Sequence, residues 1–340
     1  MKLTVCILAI LAMTAFASDP RLNVLARGDA RLLVDDYNEM WAYPGTIGDY
    51  QFAQISSEYA YEGWDLGWFG GVKQMGNATW GGTHNHNGYL LEALYHGGDF
   101  GIIVGLDYSS NILQADSSLM DEFDFGLSFG TEVNFLGREN DLAIGGAYNS
   151  TTYSIDTVDT KNSVFAGGIS IRGDNEDALV NLFPIMSAGF SSYSNENATD
   201  ETIIAVDFGG GVNKMFTPST RFIAGIFIGL ENTSFSVDSG TAPDSEMDID
   251  ILDISLGAEQ QILNWLYLRG GADMVTDYVK QGDADAVISS RYSDSYGIGF
   301  AIGNFELDAE ISDVFLHDGP YIVSGNSNGF MSNLSCSYYF

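Results

Sequence analysis

The stretch from Met120 to Phe135, MDEFDFGLSFGTEVNF, separates by parity into two unlike sets. One set holds Met120, Glu122, Asp124, Gly126, Ser128, Gly130, Glu132 and Asn134. The other holds Asp121, Phe123, Phe125, Leu127, Phe129, Thr131, Val133 and Phe135. A period of two marks an extended strand, because successive side chains point to opposite faces. Both faces of this strand are committed, one to phenylalanines and the other to carboxylates and glycines.

The same division recurs along the chain. DFGIIVGLDYS sets Phe100, Ile102, Val104, Leu106 and Tyr108 against Asp99, Gly101, Gly105 and Asp107. FELDAEIS sets Phe305, Leu307, Ala309 and Ile311 against Glu306, Asp308 and Glu310, and WDLGWFGGVK sets Trp64, Leu66, Trp68 and Val72 against Asp65, Gly67, Gly71 and Lys73. Candidate strands lie near residues 50–62, 64–74, 88–96, 99–110, 121–135, 141–156, 161–172, 178–194, 201–216, 220–237, 246–263, 265–280, 289–303, 305–316 and 328–340. Helical periodicity is scarce beyond the first residues.

Stripes alone fit a soluble sandwich as well, where the apolar side meets a core and the polar side meets water. The character of the faces selects a membrane barrel: one side is rich in glycine and acid, and the other carries aromatics toward its ends, as a lipid-facing band with aromatic borders requires. The connections agree. HDGPYIVSGNSNG, QGDADAVIS and DSGTAPDSE alternate with GNF, LNW and FTPST, and the rhythm continues toward the N-terminus with MGNATWGGTHNHNG on the longer side and GGD and YEGW on the shorter. A Greek-key sandwich must instead send some connections between sheets. Closure is a physical demand, since lipid cannot satisfy an open strand edge.

The reading is therefore an all-β, up-and-down antiparallel transmembrane β-barrel. Fifteen candidates conflict with the even strand number of bacterial single-chain barrels. About 14 strands are favoured, because 50–62 and 88–96 alternate poorly; the alternative is 16, with ARLLVDD as a further strand.

The first residues, MKLTVCILAILAMTAFAS, pair one Lys2 with a short apolar run and an Ala15-Phe16-Ala17 cleavage pattern, so residues 1–17 read as a signal peptide. Residues 18–49 are then an N-terminal segment, either a lumen plug or a first strand, and 50–340 the barrel. Removing the signal also removes Cys6 and leaves Cys336 without a disulfide partner. The formal charge of −33, from 46 acids against 13 Lys plus Arg, excludes nucleic acid and anionic head groups as partners and favours cations.

The terminal NLSCSYYF places Leu334, Cys336, Tyr338 and Phe340 on one face. It resembles bacterial outer-membrane barrels generally, whose last strand ends in an aromatic residue read by the barrel-assembly machinery. Tyr338 and Phe340 would be that assembly signal, with outer-membrane lipid as the other partner. The segment DPRLNVLARGDARLLVDDYNEMWAYPGTIGDY resembles the start of the fatty-acid transporter (FadL-like) and PorV-like families, with Asp35-Asp36 in place of their acidic pair and Tyr43-Pro44-Gly45 in place of their Asn-Pro-Ala-Gly turn. This resemblance implies an N-terminal segment that plugs the lumen, and members that pass hydrophobic molecules or serve secretion.

Assigning the acid-rich face to the lumen gives Glu58, Asp65, Asp99, Asp107, Glu122, Asp124, Glu132, Asp207, Glu231, Asp273, Glu306, Asp308 and Glu310, opposed by Lys73, Arg172 and Arg269. Such an interior concentrates cations. The function expected is an outer-membrane channel, porin-like, for passive passage of small solutes with cations favoured. The alternatives are a hydrophobic-compound transporter with a plugged lumen and a structural, adhesive or secretion-associated surface barrel.

No cofactor is implied. His84 and His86 share a face of an extended segment and are weak metal candidates, but the segment reads as a solvated outer loop. Asp283 with Asp285, and Asp244 with Glu246 and Asp248, lack a calcium-loop spacing and read as solvated loop charge. The histidines are His84, His86, His96 and His317; although Asp318 and Ser324 lie near His317, no nucleophile turn accompanies them, so an enzyme is not the expectation. Asn77-Ala78-Thr79 and Asn197-Ala198-Thr199 match a glycosylation sequon by accident.

Overall fold

The two sets of residues 120–135 become two physical faces. Phe123, Phe125, Leu127 and Phe129 are between 37% and 46% exposed, while Gly126 and Gly130 on the opposite parity are buried. In the computed structural model this strand is β6 of a closed antiparallel barrel of sixteen strands, each hydrogen-bonded to its sequence neighbours, with the first paired to the last. The structure describes residues 20–340 except 27, 35–38, 61–62, 87–88, 114–117, 136–137, 156–157, 174–181, 196–198, 238–245, 283–284 and 312–329. The signal-peptide residues, Asp35-Asp36, Asp244, Asp283, His317, Asp318, Ser324 and most of the second sequon fall outside them.

The strands are β1 (Phe52–Ala60), β2 (Gly63–Met75), β3 (Ala78–His86), β4 (Tyr89–Gly97), β5 (Phe100–Leu113), β6 (Ser118–Phe135), β7 (Arg138–Ile155), β8 (Val158–Gly173), β9 (Leu182–Asn195), β10 (Thr199–Thr217), β11 (Thr220–Val237), β12 (Glu246–Leu263), β13 (Leu266–Gln281), β14 (Val287–Ile302), β15 (Phe305–Ile311) and β16 (Met331–Tyr339). Sixteen, the alternative count, is correct, but the additional strand is not ARLLVDD. It is β3, inside the stretch read as a long outer loop. β3 escaped notice because its outward positions carry Ala78, Trp80, Gly82 and His84, too little apolar surface to show a stripe. Its insertion also moves the YEGW connection to the end of the barrel that carries the long loops. The doubted segments at 50–62 and 88–96 are genuine strands.

Turn chemistry differs between the two ends. At the short-turn end, connections such as Gly76-Asn77, Gly98-Asp99 and Gly303-Asn304 begin on a glycine with φ of 70°, 67° and 63°, the left-handed region that two-residue hairpins require. Of the longest intervals between strands, Val237 to Glu246 and Ile311 to Met331 open at the opposite end, whereas Gly173 to Leu182 opens at the short-turn end.

The outer wall has a border of rings at the short-turn end. Trp80, Tyr95, Phe100 and Phe129 form a chain of ring contacts at 4.6, 6.0 and 5.9 Å across four strands. Phe216 meets Phe222 at 5.5 Å, and Trp265 meets Phe300 at 6.0 Å. Phe305, Tyr338 and Phe340 join at 4.8 and 5.4 Å, closing the border where the last strand ends. Above it lie exposed aliphatics such as Ile144, Ile169, Ile204, Ile226 and Leu268. Water-soluble monomers rarely expose a contiguous apolar patch larger than roughly a few hundred Å².

One strand breaks its own parity. In the β1–β2 pair the register shifts between Ile55 and Ser57, so Ile55 faces Phe69 whereas Ser57 faces Leu66. A bulge of this kind reverses which parity faces inward. Trp68 and Val72, read as outward, are therefore inside and 2% exposed, while Phe69 is outside and 45% exposed.

The barrel is not empty. The described residues of 20–49 lie inside it as α1 (Pro20–Leu25), a 3-10 turn (Gly28–Leu33), α2 (Glu39–Ala42) and a second 3-10 turn (Pro44–Asp49). Two apolar clusters fix this segment to the wall. Leu25, Leu33, Val34, Ala42 and Tyr43 pack with Ala143, Ile185, Ile223 and Phe227. Met40, Trp41 and Ile47 pack with Phe52, Trp68, Val72, Leu94 and Ile103. The approach is close enough to require glycine in the wall. A Cβ on Gly271 would collide with the carbonyl oxygen of Val24, and one on Gly101 with that of Pro44.

Candidate functional site

The candidate site is the inner wall together with the segment lodged against it. Two arginines tie them together. Arg172 on β8 reaches Asp141 of β7 at 2.7 Å and Glu39 of α2 at 2.6 Å, donates to the carbonyl oxygen of Leu32 at 3.3 Å, and lies 4.8 Å from the centre of the Tyr43 ring. Tyr50 donates to the same Glu39 at 2.5 Å, so the start of α2 is held from two sides. Arg269 on β13 pairs with Glu259 at 2.6 Å, with Asp308, and with Glu306 at 3.5 Å. Glu259 also receives Arg21 of α1 at 3.0 Å. The Arg269 side chain is 1% exposed, so its charge is satisfied by these carboxylates and not by water.

Arg172 and Arg269 thus lie on the inner face, and their partners give them an anchoring task. Lys73 does not join them. The β2 bulge puts it outside at the short-turn end, where its Nζ lies 4.4 Å above the Phe340 ring. Asp99 is also outside the lumen, in the exposed turn between β4 and β5, where its carbonyl oxygen accepts from Thr131 at 2.6 Å. Glu132 is exposed at the same end.

The remaining acids whose side chains are described occupy inward positions. Asp107 and Asp124 are cross-strand partners; Asn149 donates to Asp124, and to Glu122 at 3.2 Å. Asp207 accepts from Ser187 at 2.9 Å, Asp273 from Ser293 at 3.3 Å, and Glu310 from Asn333 at 2.9 Å. Glu231 pairs in register with Asp248. Glu58 and Asp65 are paired in the β1–β2 ladder, and their side chains lie outside the described residues.

Sequence reasoning missed part of this acidic wall. Glu246 and Asp248, read as loop charge, begin β12, and Asp250, Asp253 and Asp277 continue the inward row with Arg291 3.1 Å from Asp277. The signal was available as DIDILD, but a second register shift, between Asp250 and Leu252, carries the acids from even to odd positions and hides their common face.

His84 is likewise a strand residue, not a loop residue. It faces outward and stacks on Phe69 at 4.9 Å; the His86 side chain lies outside the described residues. Among the described residues no group of three or more His, Cys, Asp and Glu is arranged to hold a metal ion.

Two cavities lie between the lodged segment and the wall. The larger, about 50 Å³, is bounded by Leu32, Trp41 and Ala42 on one side and by small residues of β6–β9 with Asp207 and Phe227 on the other. The smaller, about 20 Å³, is bounded by Trp41, Tyr89, Glu92 and Ile103 with Gly105 and Gly126. Both share Trp41 and Ser128.

No family model and no curated protein sequence matches the chain. Among solved structures it is similar to the FrpB iron transporter from Neisseria meningitidis, with 12% identity, TM-score 0.45, and 82% of this chain covering 47% of that one. It is similar to CdiB from Acinetobacter baumannii, with 8% identity, TM-score 0.44, and 85% against 60% coverage. It is also similar to the translocator domain of the autotransporter NalP from Neisseria meningitidis, with 14% identity, TM-score 0.32, and 85% against 87% coverage. The chain spans about half the length of the FrpB structure it matches. At these scores the likenesses carry no argument, and the barrel assignment stands on the strand pairing.

Proposed function

We propose that the chain is a bacterial outer-membrane barrel whose lumen passes small solutes and favours cations. The observation that carries this reading is the sidedness of a closed wall: exposed aliphatics and ring borders outside, carboxylates inside. In an enclosed low-dielectric lumen, acids in excess of bases attract cations and repel anions. The basic side chains Arg172, Arg269 and Arg291 are paired with carboxylates, and the acids of β11–β13 remain in excess to set the field. The terminal Tyr338 and Phe340 are the proposed signal for barrel assembly. Residues 20–49 narrow the passage without belonging to the wall.

A planar bilayer holding the refolded chain in a salt gradient tests this. A reversal potential of the cation-selective sign is expected, and anion preference would overturn the reading. One observation favours a second reading, that of a plugged barrel for hydrophobic compounds: the apolar clusters joining residues 20–49 to the wall. Absence of current in the full chain, with current appearing when residues 20–49 are deleted, would select it.

A further inference from the structure

The two cavities have a chemistry that differs from that of the acidic wall. The larger offers the Trp41 and Phe227 rings, a floor of Gly145, Gly168, Ser170 and Gly189, and a single charged group, Asp207. The smaller, bordered by the same Trp41, offers Tyr89 and a single charged group, Glu92, which is 7% exposed and accepts from Thr83 at 2.6 Å. No basic side chain borders either cavity. A space bounded by aromatic faces and one carboxylate is suited to an organic ammonium ion, whose charge meets the carboxylate while its carbon-bound hydrogens meet the rings. Anions meet only repulsion there, and a strongly hydrated metal ion would have to shed water for apolar walls.

From this arrangement we propose that these cavities form a stepwise passage for small alkylammonium ions along the inner wall between β4 and β10, with Trp41 as the partition between the two steps. This deepens the channel reading and rests on it. The partition is held from outside the cavities: α2 is anchored through Glu39 by Arg172 and Tyr50, and the indole stands edge-on to Trp68 at 5.8 Å. A small residue at 41 would merge the two spaces, whereas phenylalanine would keep a ring between them. The size of the cavities sets the limit. A water needs roughly 10–15 Å³ of such space, so both cavities have room for methylammonium.

The test uses the full chain with Cys6→Ser, Cys336→Ser and Ser187→Cys, placing one thiol in the larger cavity beside Asp207. Its labelling by a cationic and by an anionic methanethiosulfonate is timed in detergent, with the heat-modifiable gel shift confirming a folded barrel. The cationic reagent is expected to react about fivefold faster or more, and methylammonium is expected to slow it more than potassium at equal ionic strength. Equal rates for the two reagents, or equal protection by potassium, overturn the proposal. In bilayers, Trp41→Ala should raise methylammonium flux several-fold while Trp41→Phe stays near the parent; unchanged flux in Trp41→Ala overturns the partition. If the parent carries no current at all, the channel reading fails, and the labelling rates still decide the cavity chemistry.

Discussion

Two arcs of the inner wall use the same small residues for different ends. On β12 and β13 the inner face carries Glu259 against Arg269 and, farther along the strands, Asp248, Asp250, Asp253, Asp273 and Asp277, and the backbone of α1 presses directly on Gly257 and Gly271. On β7–β9 it carries Ala143, Gly145, Gly168, Ser170, Ser187 and Gly189, with one ion pair, Asp141 to Arg172, at the short-turn end. In the first arc glycine is contact, giving up its side chain so that another backbone can touch the wall. In the second arc glycine is space. The lesson is that a glycine-rich inner face does not by itself reveal whether a barrel is open or filled.

The comparison can be broken most forcefully at Arg269. Arg269→Met would strand Glu259 and Asp308 without a counter-charge, a loss of about 3–5 kcal/mol for a buried pair broken on one side. Its thermal unfolding, followed by gel shift, should fall furthest of the variants considered. Adding Glu259→Gln and Asp308→Asn should recover much of that loss; no recovery would show that packing and not charge fixes this arc. Arg172→Met should cost less, about 3 kcal/mol, because the Arg172 side chain is 10% exposed against 1% for Arg269. Its diagnostic effect is a loosened α2, read as faster proteolysis between residues 20 and 49.

The glycines sharpen the contrast. Gly271→Ala forces the Val24 carbonyl away and should destabilise by about 1–3 kcal/mol, as overpacking does. Gly189→Ala has its nearest neighbour at 3.5 Å and should change stability by less than about 1 kcal/mol, with a gain as the expected sign because alanine loses less entropy in a strand. Equal penalties at Gly271 and Gly189, measured by denaturant titration, would erase the distinction between the arcs.

Much of the wall was readable from residue order. The ladder at Phe123, Phe125 and Phe129 and the rows at Glu306, Asp308 and Glu310 lie where parity put them, because a strand's faces follow from its own backbone. The misreadings share one cause. At Lys73 and along Asp248 to Asp253 the phase changes at a bulge, and a bulge is an agreement between two strands that neither shows alone. The strand β3 was hidden differently: apart from Trp80 its outward residues are small or polar, so no stripe announces it. Its pairing with β2 and β4 comes from barrel closure.

Residue order by itself determined that the chain has two incompatible faces repeated many times, which in a hydrocarbon setting leaves few architectures other than a closed sheet, since every backbone donor and acceptor must be matched. Only the tertiary structure decided that Arg172 would meet Glu39 across 133 positions and Glu259 would meet Arg21 across 238, and that residues 20–49 would lie against glycines in the wall. Periodicity is set by neighbours one and two residues away. Charge pairing and filled space depend on which strands closure brings together, and no local pattern records that.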